Sequence, residues 1–188
     1  METVLSIFVG LGLAAACGLR IFVPFLVMSA AALSGHLPLA EGFEWIGTKP
    51  ALIAFAVATV FEVGAFYVPW LDNALDLLTN PITVVAGIVA TASVVTDVSP
   101  FLKWSLAVIA GGGLAGTLQG GGLLARSVST ATTGGLGNFA LATLELVGAL
   151  VTSIVAIVWP VVAVALVATI IVIGARAWRR RRRRSPAL

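Results

Sequence analysis

The sequence predicts an all-α integral membrane protein of about six helical segments in two duplicated halves, each opening with a Gly-broken or re-entrant helix. Three observations carry that expectation. Composition comes first: 60% of the 188 residues are hydrophobic and 10% are charged, with a mean hydropathy of +1.10. A soluble globular chain carries about 25% charged residues and about 45–50% apolar ones. The second is a pair of Gly-rich apolar stretches, VGLGLAAACGLRIFVP at 9–24 and AGGGLAGTLQGGGLLAR at 110–126. Each contains G-x-G-L-A, followed by one arginine, Arg20 or Arg126. The third is a second echo: Ala58-Thr59-Val60 with Val63-Gly64-Ala65 recurs as Ala142-Thr143-Leu144 with Val147-Gly148-Ala149. Each copy holds one glutamate, Glu62 or Glu145, offset by one place.

Taken in order, residues 3–35 are apolar and broken only at Gly18-Leu19-Arg20 and Pro24. One straight helix of that length would be about 50 Å long, against a hydrocarbon core of about 30 Å. Two shorter pieces meeting near Arg20 fit better, as a broken helix or a re-entrant hairpin. Residues 36–50 form a polar connection with Glu41, Glu44 and Lys49, and 51–68 read as a span interrupted by Glu62. Pro69-Trp70 ends that span, and a loop with Asp72 and Asp76 runs to Pro81. The next span is 82–98, closed by Asp97 and Ser99-Pro100; 101–124 follows, then a small polar loop at 127–138. The forty residues 139–178 are too long for one pass, and Trp159-Pro160 divides them into two helices. All five tryptophans fall at predicted span ends, where indoles favour the headgroup level.

The expected organisation is one polytopic domain over 1–178, with pseudo-repeats of about 1–99 and 100–178, and an Arg-rich tail at 179–188. Inverted copies follow if each half makes three passes, and parallel copies if the first unit is re-entrant. The tail holds Arg179 to Arg184, and with Arg176 it accounts for seven of the eleven basic residues. The remainder is net acidic, with four basic against eight acidic residues. By the positive-inside bias the tail lies in the cytoplasm, where it also suits anionic lipid.

Charges inside spans are rare and tend to face a cavity or a partner. Arg20 and Arg126 present forked donors suited to carboxylate or phosphate. Their structural alternative is a pair of buried ion pairs, Arg20 with Glu62 or Glu145 and Arg126 with the other. For Arg126 there is also snorkelling to the interface, because a polar segment starts one residue later. Glu62 and Glu145 are candidates for binding a proton or cation, and Asn138 and Thr130 for lining a polar site; a hydrated loop explains the last two equally. Asp72, Asp76, Asp97 and His36 read as solvated connections. The glycines at 111–113 and 120–122 lack the G-K-[ST] of a phosphate loop and suit close helix packing instead. Cys17 stands alone, which excludes an internal disulfide. No catalytic set, metal spacing or nucleotide fingerprint appears, so neither an enzyme nor a cofactor is expected.

At Gly18-Leu19-Arg20 with Pro24, at Trp70-x-Asp72, and at Arg126-Ser127, Asn138 and Glu145, the chain resembles a bacterial family of small multi-pass membrane proteins. That family is known as domain of unknown function four-one-two-six, and the resemblance covers most of residues 5–165. The family tends to carry a second acidic residue after Glu145, where this chain has Leu146. The resemblance implies the membrane class and no settled activity.

The resulting expectation is a small bacterial inner-membrane transporter or channel-like carrier, homo-oligomeric, for an anionic solute. Arg20 and Arg126 would receive the anion, and Glu62 and Glu145 would couple protons or cations. One alternative makes the anion a lipid headgroup such as a polyprenyl phosphate. Another, of a different class, is a non-transporting membrane scaffold or accessory subunit with its Gly-rich faces as the interface.

Overall fold

A computed structural model describes residues 2–66 and 69–182, with side chains described except at 66–80, 174–175 and 177–182. The expectations for the side chains of Trp70, Asp72, Asp76, Trp178 and the tail arginines lie outside the described residues.

Among the described residues the fold is all-helical: α1 Glu2–Cys17, α2 Phe22–Leu33, a 3-10 turn Glu44–Gly47, α3 Lys49–Phe66, α4 Pro69–Val94, α5 Pro100–Leu106, a π-helix Ala107–Gly112, α6 Gly113–Thr133, α7 Gly137–Val158 and α8 Pro160–Arg182. Two helical stretches are long and apolar enough to cross a membrane, Pro100–Thr133 and Gly137–Val158. Four shorter apolar helices accompany them.

α1 is the hub, packing on α4, α7, α8 and α6. Its last five residues, Leu13 to Cys17, are fully buried. The chain then reverses through Gly18–Ile21, so α1 and α2 form a hairpin. Both open ends lie at one end of the molecule, termed the upper end. Thr96, just past α4, donates from its amide to Ser6 Oγ of α1 at 3.5 Å, and Ala40, after α2, donates to Ser93 O at 2.7 Å. α3 runs down beside α2, with Phe25 and Phe55 stacked at 5.4 Å. α4 returns upward, the continuous α5–π–α6 helix descends, α7 ascends and α8 starts again at the upper end.

Small residues set the spacing. A Cβ on Gly87 of α4 would stand 2.5 Å from Ala115 Cβ and 2.8 Å from Gly111 O. Gly111 is itself pressed on the Thr91 hydroxyl, which donates to Gly87 O at 2.9 Å and Gly10 O at 3.2 Å. Three helices therefore meet backbone to backbone, an approach only residues without bulk permit.

The structure revises several boundaries. The expected loop up to Pro81 belongs to α4, which opens on Pro69 and keeps Pro81 within it. Proline at a helix start costs no hydrogen bond, because that N–H has no partner inside the helix. Residues 127–133 are helical, because their hydroxyls bond back within the helix: Ser127 to Leu123 O at 2.8 Å and Thr133 to Ser129 O at 2.7 Å. Such back-bonding lets serine and threonine sit in a helix without seeking a turn. The second Gly-rich stretch is neither broken nor re-entrant; it runs through the π-helix without reversing.

The echoed segments do not share one relation. Gly10 and Gly111 both lie on Thr91 and their helices run in the same direction. The helices carrying Glu62 and Glu145 run in opposite directions, since α3 descends and α7 ascends. One rotation axis would have to preserve direction in the first pair and reverse it in the second.

Candidate functional site

The hairpin tip is built by Gly18, whose missing side chain admits Ala115 O of α6; a Cβ would stand 2.7 Å away. The turn leaves the first amides of α2 pointing out of the tip, and α2 has no side-chain cap of its own. Glu62, reaching over from α3, accepts both: Ile21 N–H to Oε1 at 2.7 Å and Phe22 N–H to Oε2 at 3.0 Å. A carboxylate on a helix N-terminus meets unpaired donors and the positive end of the helix dipole.

Arg20 projects from the same turn in the other direction and is 2% exposed. Its Nη2 donates to Ala142 O of α7 at 2.9 Å and stands 3.4 Å from Glu145 Oε2, one turn further along that helix. Arg126, on α6, donates from Nη2 to the same Glu145 oxygen. Gly122 keeps α6 close to α7 at this level, since a Cβ there would lie 3.1 Å from Glu145 Oε1. Two guanidinium groups, one from the hairpin tip and one from a long helix, thus converge on one carboxylate.

Of the six residues singled out from sequence, the structure gathers Arg20, Arg126 and Glu145 into one cluster and sets Glu62 at its edge. Thr130 follows Arg126 by one turn of α6, and Asn138 opens α7. The Asn138 amide donates to Thr130 Oγ1 at 3.1 Å, tying the two ends of the α6–α7 turn together. The ion-pair alternative takes a form the sequence did not suggest: both arginines share Glu145, while Glu62 serves backbone amides. Arg126 does not snorkel; it is buried. Participants that carry no sequence signal are the Ala142 carbonyl and the Ile21 and Phe22 amides, which any residue type would supply.

Outside the cluster, Asp97 is exposed, with φ of 58°, in the connection to α5. His36 is exposed, with Nδ1 3.0 Å from Ser34 Oγ. Both agree with solvated connections. Among the described residues no group of three His, Cys, Asp or Glu side chains is placed to hold a metal ion.

Chemically, the cluster is two guanidinium groups held on one carboxylate of the same chain. Paired forked donors favour planar or tetrahedral oxyanions. Comparison with curated proteins and with solved structures gives no match. A family model described as "Domain of unknown function (DUF4126)" matches residues 7–180. That match spans nearly the whole chain, and the chain belongs to this family.

Proposed function

We propose that the chain is a polytopic carrier of the bacterial inner membrane that receives an anionic group between Arg20 and Arg126. The observation that carries this reading is the convergence of two buried arginines on the single carboxylate of Glu145. Its depth supports it. α7 has 22 residues, about 33 Å, close to the thickness of a hydrocarbon core. Glu145 then lies about 20 Å below its upper end and about 12 Å above its lower end. Charge at that depth points to a substrate path more than to an anchor.

The outer surface supports the membrane setting. Phe61, Leu144, Val161, Ile170 and Ile173 are each more than half exposed on the flanks of α3, α7 and α8. A soluble monomer rarely exposes contiguous apolar area on this scale. Trp45, Trp104 and Trp159 are exposed at the upper end, at the level expected of an interfacial belt. With the Arg-rich tail cytoplasmic, the lower end faces the cytoplasm and α1 enters from the opposite side as a re-entrant hairpin.

In this reading Glu145 occupies the receptor between cycles. An incoming carboxylate or phosphate competes for the two guanidinium groups and displaces it. The displaced carboxylate is then unpaired among apolar helices and must be neutralised by a proton or cation, which couples the two movements. Reconstitution in liposomes with flux assays of small carboxylates and phosphates tests this. Arg20→Ala and Arg126→Gln should abolish flux while the protein still elutes as a folded species. A folded wild-type protein that moves no anion under any gradient would sink the carrier reading.

The competing reading is a membrane scaffold, in which the cluster only holds α6, α7 and the hairpin together. The shared Glu145 favours it to the extent that the receptor is already satisfied. Swapping charges as Arg126→Glu with Glu145→Arg separates the two readings, since a scaffold should keep its fold and partners whereas a carrier should lose flux.

A further inference from the structure

Below the cluster, α6 and α7 close on each other along a seam that runs to the lower end. On α6, Gly122, Arg126, Ser129 and Thr133 follow at helical spacing on the face turned to α7. Each has its contact there. Gly122 lies against Glu145 Oε1, Arg126 bonds Glu145, Gly137 presses on Ser129 Oγ, and the Thr133 hydroxyl accepts the Gly137 N–H at 3.0 Å. On α7, Asn138 stands seven residues below Glu145, on the same face. The seam therefore keeps one register from the lower end to the shared carboxylate.

Two polar atoms of the seam are left over. Ser129 Oγ and Asn138 Oδ1 are both buried, and neither has a hydrogen-bond partner among the described residues. Their neighbours are spent: the Thr133 hydroxyl donates to Ser129 O at 2.7 Å, and Asn138 Nδ2 donates to Thr130 Oγ1 at 3.1 Å. The two orphans sit together, because Ser129 adjoins Thr130 on one helix and Asn138 adjoins Gly137 on the other. Buried polar atoms that the protein leaves over are commonly satisfied by ordered water. From Ser129 up to the level of Gly122 is about 10 Å of helix, a length that about three hydrogen-bonded waters beside Arg126 would span.

We propose that Glu145 is neutralised by a proton taken from the lower end, relayed along the α6–α7 seam by Ser129, Asn138 and the water they hold. This rests on the reading of the arginine pair as an anion receptor, and names the coupling ion and its route. A hydroxyl accepts and donates at once, so Ser129 can take a proton at Oγ and release its own towards Glu145. The O–H bond lost is that of a hydronium ion at the mouth, and the O–H bond gained is on the Glu145 carboxyl. A metal cation does not fit the same route. The two orphan oxygens fall short of the roughly six that a hard cation takes, and the helices are too close at Gly122 and Gly137 to pass a hydrated ion. Charge sets the order of events. From the elements packed on α7, Glu145 faces Arg20 of the hairpin tip, Arg126 of α6 and, at the edge of the cluster, Glu62 of α3. α1 and α2 bring no charge to this level, and Arg176 of α8 is exposed. Two guanidinium charges on the route repel an incoming proton. An anion that takes the guanidinium groups cancels that repulsion and frees the carboxylate, so the proton follows the anion.

The test is time-resolved infrared spectroscopy of the full chain in lipid nanodiscs after an acid jump, reading the protonated-carboxyl band that Glu145→Gln removes. Ser129→Ala should slow the growth of that band about tenfold or more and leave its midpoint pH unchanged. Ser129→Thr keeps the hydroxyl and should restore the rate. Asn138→Ala should slow the band as well, but it also loses the bond to Thr130, so Ser129 decides. A role confined to holding the turn would move the midpoint or the unfolding temperature and spare the rate. The proposal is overturned if Ser129→Ala and Asn138→Ala protonate Glu145 as fast as the wild type does. It is also overturned if added sodium at constant pH shifts the Glu145 carboxylate band, or if Glu145 stays ionised at every pH the folded chain survives. Proton uptake along the seam in a chain that moves no phosphate would end the carrier reading and leave this one standing. Phosphate flux without proton movement, undiminished in Ser129→Ala, would do the reverse.

Discussion

Glu62 and Glu145 sit in nearly the same sequence, A-T-h followed by V-G-A, and do different work. Glu62 caps two backbone amides at the tip of a hairpin. Glu145 takes two guanidinium groups from separate helices. The difference arises from direction and from the one-residue offset. α3 descends beside α2 and brings its glutamate to the start of that helix. α7 ascends past the tip and brings its glutamate to Arg20 and Arg126. Neighbouring residues along a helix therefore do not decide what a buried carboxylate binds; the ends of the elements around it do.

Removing each glutamate should separate the two roles, and Glu145 should matter more. Glu145→Leu leaves two buried arginines without their shared counter-charge, a loss of about 3–5 kcal/mol that thermal unfolding in detergent would register. Next in size comes Gly87→Ala, which forces α4 from α6 above the cluster at a cost of about 1–3 kcal/mol. It should lower the unfolding temperature while leaving Glu62 and Glu145 in place. Glu62→Ala removes only a helix cap, worth about 1 kcal/mol, and a fall as large as that of Glu145→Leu would erase the distinction. The smallest effect is in the glycines that follow each glutamate. A Cβ on Gly64 meets nothing within 4 Å, whereas one on Gly148 lies 3.2 Å from Leu19 Cδ1. Gly64→Ala should stabilise by about 0.5–1 kcal/mol through helix propensity, and Gly148→Ala by less.

Much of this was legible in the chain. The breaks at Gly18-Leu19-Arg20 and at Trp159-Pro160 are where the sequence predicted them, because glycine and proline act locally. Arg20, Arg126 and Glu145 stood out because an isolated charge in an apolar run needs a partner. What stayed hidden depends on contacts between distant segments. Polarity at residues 127–133 suggested a loop, yet hydroxyl back-bonding makes that segment helical. The π-helix at Ala107–Gly112 has no signature beyond its glycines, which fit a break as readily as a close approach. The sharing of Glu145, and the use of Glu62 as a cap, follow from which way α3 and α7 run. No residue pattern encodes that direction.

The central claim is that Arg20 and Arg126 both act through Glu145. Double-mutant cycles in unfolding stability test it most directly, pairing Arg20→Gln and then Arg126→Gln with Glu145→Gln. The structure predicts coupling of about 0.5–3 kcal/mol in both cycles, with the Arg20–Glu62 cycle weaker than either. Additive effects in both Glu145 cycles, or coupling of Arg20 to Glu62 alone, would contradict the sharing of Glu145.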